Sequence, residues 1–339
     1  MKPLLTTLLL CAGLSSAYAQ NPDSSGFYFK KAMEEKDARL YLLASQSFDK
    51  AIKFDPKNIQ AFLQNGYTQL EMRKTNEAKV NFSKVYELDP ENKNAIKELM
   101  ELYYSYHQYT NAIEFATKCP DCVNNQRILG MCYYQTEDYA KAEKYLTTAL
   151  EKNPTDAEVT YTMGRNYLEL EEYTKAVPYY EKAVKLDNTR NAWMYEQGLL
   201  YYNLSDYKNA LTCFKNAAAH GYTQSNDFKE NLGYACLYSG DFETGENLLL
   251  NIWKRKPANK DILRDMAEIF YQQKQYDRSL SYCQKLMEID PKDGKALYQA
   301  GLCFQKKGEK DRGQKMCDKA ISMDPSLENL RRKKEIVGL

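Results

Sequence analysis

This sequence predicts an all-α fold, a solenoid of about nine stacked helical hairpins closed by a C-terminal helix. Three observations predict it. Prolines recur at Pro56, Pro90, Pro154, Pro257, Pro291 and Pro325, with gaps of 34, 64, 103, 34 and 34 residues. Those gaps are whole multiples of 34 with four residues missing once and one added once. Glycines at Gly66, Gly130, Gly164, Gly198, Gly233 and Gly301 keep the same beat. Within each period, apolar and small residues at positions 4, 7, 8 and 11 share one helical face, and those at 20, 24 and 27 share another. A fixed period of this length means one supersecondary unit copied many times, each burying its apolar face on its neighbours.

The elements follow in chain order. Lys2, the apolar stretch Leu4 to Leu14 and Ala17-Tyr18-Ala19 read as an export signal over 1–19, with Gln20 opening a short mature segment, 20–24. Cys11 follows the bulky Leu10, unlike a lipidation site. The repeats then occupy 25–325, as units near 25–58, 59–92, 93–122, 123–156, 157–190, 191–225, 226–259, 260–293 and 294–325. In the best-kept units a small residue at position 8 meets Ala at 20 so that two helices approach closely, with an aromatic at 24 filling the adjacent space. Asp-Pro at 31 and 32 ends the second helix, because the residue before proline is pushed out of the α region. Pro178 falls early in a second helix and predicts a mild distortion. The third unit is four residues short and ends in Cys119-Pro120-Asp121-Cys122. The junction from Ala217 to Asn226 carries the extra residue, and Gly245 replaces the expected Ala, so the softest joint is expected there. Ser326 is placed to cap a closing helix within 326–339.

Composition narrows the function. Lys plus Arg number 47 against 46 Asp plus Glu. A neutral chain without a basic block argues against nucleic acid as partner. Beyond the export signal no segment has about 18 consecutive apolar residues, so no membrane-spanning segment is expected in the mature chain.

The fifth unit carries Gly164, Tyr167, Ala176, Tyr180 and Ala183, and the fourth Leu129, Gly130, Tyr133, Ala142, Leu146, Ala149 and Pro154. These residues resemble the tetratricopeptide repeat family, over roughly residues 25 to 325. The resemblance implies a right-handed solenoid whose first helices line a concave surface with positions 2, 5, 9 and 12. On this chain that stripe is Tyr104, Arg127, Tyr134, Tyr161, Arg165, Tyr195, Tyr202 and Tyr234, with Tyr238 beside it and Arg264, Tyr271 and Tyr298 further on. Tyr and Arg are the residue types most enriched at binding hot spots. The family's carboxylate clamp is not expected: its best match starts at Lys97, but Glu101 and Ile128 occupy the next two places.

Chemistry is sparse. His107 and His220 fall in turns, and no H-E-x-x-H, glycine-rich phosphate loop or G-x-S-x-G is present. Cys132, Cys213, Cys236, Cys283, Cys303 and Cys317 fall at packing positions, where Cys behaves as a small hydrophobe. Cys119 and Cys122 sit in the irregular turn, where an exported protein would favour a disulfide. No second cysteine pair completes a zinc site. The expectation is an exported adaptor, periplasmic or secreted, without cofactor or catalysis, holding a protein or peptide in its concave groove. A polysaccharide- or peptidoglycan-associated scaffold is the alternative, since tyrosine faces also suit sugar rings.

Overall fold

A computed structural model describes residues 24–329. The export signal expected at 1–19 and residues 330–339 of the expected closing helix lie outside the described residues. Among those described there are eighteen α-helices, one short 3-10 turn and no strand. The described residues divide into two compact units, the boundary falling between 152 and 153.

The first unit holds four hairpins: α1 (Ser25–Asp37) with α2 (Tyr41–Phe54), α3 (Ile59–Glu71) with α4 (Thr75–Leu88), α5 (Lys93–Ser105) with α6 (Tyr109–Lys118), and α7 (Asn125–Gln135) with α8 (Tyr139–Lys152). The second holds five: α9 (Ala157–Glu169) with α10 (Tyr173–Leu186), α11 (Asn191–Asn203) with α12 (Tyr207–Ala219), α13 (Asn226–Tyr238) with α14 (Phe242–Trp253), α15 (Asp261–Gln272) with α16 (Tyr276–Ile289), and α17 (Gly294–Lys306) with α18 (Lys310–Met323). Within each unit, a helix packs mainly on its hairpin partner and then on the next hairpin. Each unit is a stack of helical hairpins, as the 34-residue beat predicts.

Two local devices, both periodic, make the hairpins. The second helices α2, α4, α10, α16 and α18 end at an aspartate: Asp55, Asp89, Asp187, Asp290 and Asp324. Its carboxylate accepts the N–H two residues on, at 3.0 Å for Lys57 and 3.0 Å for Lys292. At four of the five the residue between is proline, which has no N–H to satisfy. A side chain two residues beyond the proline then caps the next first helix, as Asn58, Asn92, Asp156 and Asp293 do. Inside the hairpin, the first helix closes on one residue with positive φ: Arg39, Arg73, His107, Glu137, Glu171, Ser205, Gly240, Lys274 and Gly308. These positions repeat the 34-residue beat with its missing four and added one. The backbone there forms the two bonds of a Schellman motif; at the first, Arg39 N–H donates to Lys36 and Leu40 N–H to Glu35.

Close packing explains the glycine beat. A Cβ on Gly198 would stand 2.5 Å from the ring of Phe214, and one on Gly66 2.7 Å from Phe82. Both rings are fully buried. The neighbour over position 8 is therefore chiefly the side chain at 24. Position 20 matters where it is glycine. A Cβ on Gly245 would stand 2.8 Å from the carbonyl oxygen of Gly233 and 2.6 Å from Leu237. Gly245 is thus a tight contact and not the weakness expected of it. The contact between α12 and α13 matches that between α10 and α11 in extent; the thinnest joint in this unit lies one hairpin later, between α14 and α15. There α14 stops at Trp253, and the chain turns through 254–260 without completing the last helical turn.

Two further sites differ from expectation. Val123, expected to open the fourth repeat, is exposed and outside the helix, which starts at Asn125. Ser326 lies inside the 3-10 turn Pro325–Leu327, and Asp324 does the capping by accepting the Ser326 N–H at 3.1 Å.

Candidate interaction surface

The expected stripe residues lie on first helices, and the structure shows what holds each. In the first unit, Tyr104 packs against the core on α5. Arg127 and Tyr134 are half-buried on α7, where the Tyr134 ring lies 6.1 Å from that of Tyr139. Asn124 Nδ2, at the entry to α7, donates to Glu101 at 3.1 Å.

In the second unit the tyrosine hydroxyls are used between repeats. Tyr161 donates to Glu196 at 2.7 Å, and the buried Tyr180 donates to the same oxygen at 3.1 Å. Arg165 approaches the pair, with Nη1 3.4 Å from the Tyr161 hydroxyl and 3.8 Å from Glu196. Asn231 donates to the Tyr195 hydroxyl at 2.8 Å, and Tyr234 donates to Asp265 at 2.9 Å. The partners Glu196, Asn231 and Asp265 hold the same position, the sixth, of successive repeats. Each hydroxyl bond therefore ties one repeat to the next and orients the ring. Burial, and then the neighbouring carboxylates, push the Tyr180 and Tyr234 hydroxyls well above the usual tyrosine range. Burial does the same to Tyr161, with Arg165 pulling the other way.

Rings stack where hydroxyls anchor. Tyr161 lies parallel to Trp193 at 4.4 Å, with the Arg190 guanidinium over the far ring at 5.4 Å. Tyr195 stacks on Tyr222 at 4.6 Å. Tyr238 stacks on Tyr207 at 4.1 Å, and Tyr202 meets both edge-on. Tyr202, Tyr234 and Tyr238 line a small open hollow of about 140 Å³ with Asp265, Glu268 and Ile269. A larger hollow, about 280 Å³, is lined by Arg264, Cys283, Lys295, Tyr298 and others. Arg264 is occupied by Asp293, through contacts of 3.1 and 3.3 Å. Tyr298, expected on the open stripe, is buried in the core between α17 and α18.

Sequence reading missed Trp193, Tyr207 and Tyr222, and the series of polar residues at position 6. The last was detectable: aligning repeats on the glycine beat places Glu196, Asn231 and Asp265 in register beside the tyrosines. Tyr207 was detectable in the same way, because Tyr41, Tyr109, Tyr139, Tyr173, Phe242 and Tyr276 open other second helices in the same register, whereas Trp193 and Tyr222 have no such series.

The other candidates resolve simply. Cys119 and Cys122 are joined by a disulfide. The remaining described cysteines are buried and outside any disulfide. Burial pushes the thiols of Cys132 and Cys283 up to about 12, and that of Cys236 to about 11, so they are protonated and unreactive at neutral pH. His107 and His220 both lie in turns. Among the described residues there is no grouping of His, Cys, Asp or Glu able to hold a metal ion, and no helix long and apolar enough to cross a membrane.

Three family models, each of a tetratricopeptide repeat, match residues 121–189, then 161–225 and 230–294, then 294–327. Together they cover more than half of the chain, which belongs to the tetratricopeptide repeat family. Proteins of this family are in general non-catalytic scaffolds for protein–protein interaction. Comparison with curated proteins gives no match. Among solved structures the chain is similar to YrrB, described as a tetratricopeptide protein with an unusual peptide-binding site, at 24% identity over 56% of this chain and 97% of that one, with a TM-score of 0.39. It is similar to Pseudomonas aeruginosa pilF at 23% identity over 62% of this chain and 97% of that one, TM-score 0.46. A tetratricopeptide protein from Parabacteroides merdae matches at 14% identity over 70% of this chain and 96% of that one, TM-score 0.45. These likenesses concern the repeat fold alone.

Proposed function

We propose that this chain is a non-enzymatic adaptor of the cell envelope that holds a protein or peptide partner against the first-helix tyrosines of its second unit. The observation that carries this reading is the anchoring of those rings. The hydroxyls of Tyr161, Tyr195 and Tyr234 are bonded to the following repeat, while all three side chains stay partly open to solvent. Rings fixed in advance lose little entropy when a partner covers them. Amphipathic tyrosine faces contribute strongly once desolvated. The export pattern at 1–19 and the Cys119–Cys122 disulfide support an oxidising compartment.

The test is capture of partners from envelope extract. Tyr161→Ala/Tyr195→Ala/Tyr202→Ala is compared with wild type, and with Tyr161→Phe/Tyr195→Phe, which keeps the rings. Loss of the wild-type partners by the alanine variant, with retention by a Tyr173→Ala control on α10, is expected. Equal recovery by the folded alanine variant would sink the proposal.

A further inference from the structure

The hollow beside α13 and α15 is lined by the rings of Tyr202, Tyr234 and Tyr238, with Tyr207 stacked behind Tyr238 at 4.1 Å. Its polar lining is acidic. Asp265 and Glu268 line it, and Glu230, one turn before Tyr234 on α13, is close enough for its charge to act on Tyr202 and Tyr234. Asp265 accepts the Tyr234 hydroxyl and Glu268 accepts the Gln272 amide at 3.0 Å. Neither bond brings a positive charge. Among the described residues no lysine or arginine lies within ion-pair distance of Glu230, Asp265 or Glu268, whereas Glu196 and Glu246 have arginine partners and Asp293 an arginine and a lysine. Burial holds Glu230 above the usual carboxylate range, and the charges of Asp227 and Asp265 add to it.

From this we infer that the hollow receives a cationic side chain of the bound partner, arginine before lysine. The inference rests on the adaptor reading and names the chemistry of its partner. Three chemical facts favour that occupant. Aromatic faces attract a cation through their quadrupole, and a guanidinium stacks on tyrosine as an ammonium does not. Two carboxylates beside the rings supply acceptors for its planar fork. A space of about 140 Å³ admits the head of one side chain and not a folded element. The carboxylates are not grouped as a metal ion requires.

A random-peptide library is selected on the full chain, and the recovered peptides are remade with each arginine replaced by citrulline, which keeps the shape and removes the charge. Wild type is expected to enrich one basic position and to bind its citrulline version about tenfold more weakly. Asp265→Asn/Glu268→Gln is expected to bind both versions alike; the asparagine still accepts the Tyr234 hydroxyl, and thermal unfolding checks that the variant folds. Tyr202→Leu, a second route to the same loss, should also abolish the preference. Enriched peptides with no basic position, or an arginine preference that survives both variants, would overturn the inference while leaving the adaptor reading intact. A library that yields no binder overturns both.

Discussion

At the scale of single residues, the hairpin turns hold a conformation that most of their side chains oppose. Seven of the nine closing positions carry a residue other than glycine at positive φ, with Glu171 at φ 59°. A Cβ in this region crowds the backbone, and glycine avoids the cost. Gly240 and Gly308 show the unstrained solution at the same place in the repeat. Glu171→Gly is therefore expected to stabilise the chain by about 0.5–1 kcal/mol, the relief being partly offset by the freer unfolded chain. Gly240→Ala is expected to cost about 1 kcal/mol although nothing stands within 4 Å of its added Cβ, so that only backbone strain acts. Urea midpoints of the two variants should move in opposite directions. Movement in the same direction would show that the turn conformation does not govern stability here.

At the scale of elements, the informative place is the shortened hairpin of α5 and α6. α6 has ten residues where most other second helices have twelve to fourteen, so its last carbonyls need partners from outside the helix. Asn125 provides them: it is buried, and its Nδ2 donates to Ala116 O at 2.5 Å and to Cys119 O at 2.9 Å. The disulfide spans only three residues of separation, so its effect on chain entropy is at most roughly 2 kcal/mol. Asn125→Leu should cost about 1–3 kcal/mol by removing two hydrogen bonds, leaving the Ala116 and Cys119 carbonyls only the backbone N–H groups of Cys119 and Cys122. Cys119→Ser/Cys122→Ser should cost less. Thermal unfolding of the two variants ranks them, and the reverse order would assign the joint to the disulfide. This region also shows what was legible in the sequence. The repeat, its helices and the fault at four missing residues could be counted from proline and glycine spacing. Asn125 could not, because it acts on the Ala116 and Cys119 carbonyls, which only the folded turn brings to it. The same holds for Gly245, whose role depends on the distance to the Gly233 carbonyl. Tyr298 had the periodicity of the stripe but is buried against the final hairpin.

At the scale of the whole molecule, the second unit stakes its stability on neutral tyrosine. Burial is the first cause that raises Tyr161, Tyr180, Tyr201, Tyr202, Tyr234 and Tyr282 above the ordinary value of 10.0, and it raises Tyr271 to about 12. Carboxylates add to it: Glu196 beside Tyr180, Glu181 beside Tyr201, Asp265 beside Tyr234 and Glu246 beside Tyr282. The unfolded chain ionises these phenols near pH 10, while the folded chain holds their protons to higher pH. A raised folded pKa contributes stability that is complete below the unfolded value and is lost as pH climbs above it. Each such group adds a slope of up to about 1.4 kcal/mol per pH unit, and seven act together. Stability is therefore expected to be flat between neutrality and pH 10 and to fall steeply beyond. The phenolate absorbance of these seven rings should then appear together with the loss of helical circular dichroism, in a late cooperative step above the titration of the exposed tyrosines. If the absorbance instead titrated smoothly around pH 10 with the helices intact, the rings would be solvated and unanchored, and the preformed surface proposed for partner binding would not exist.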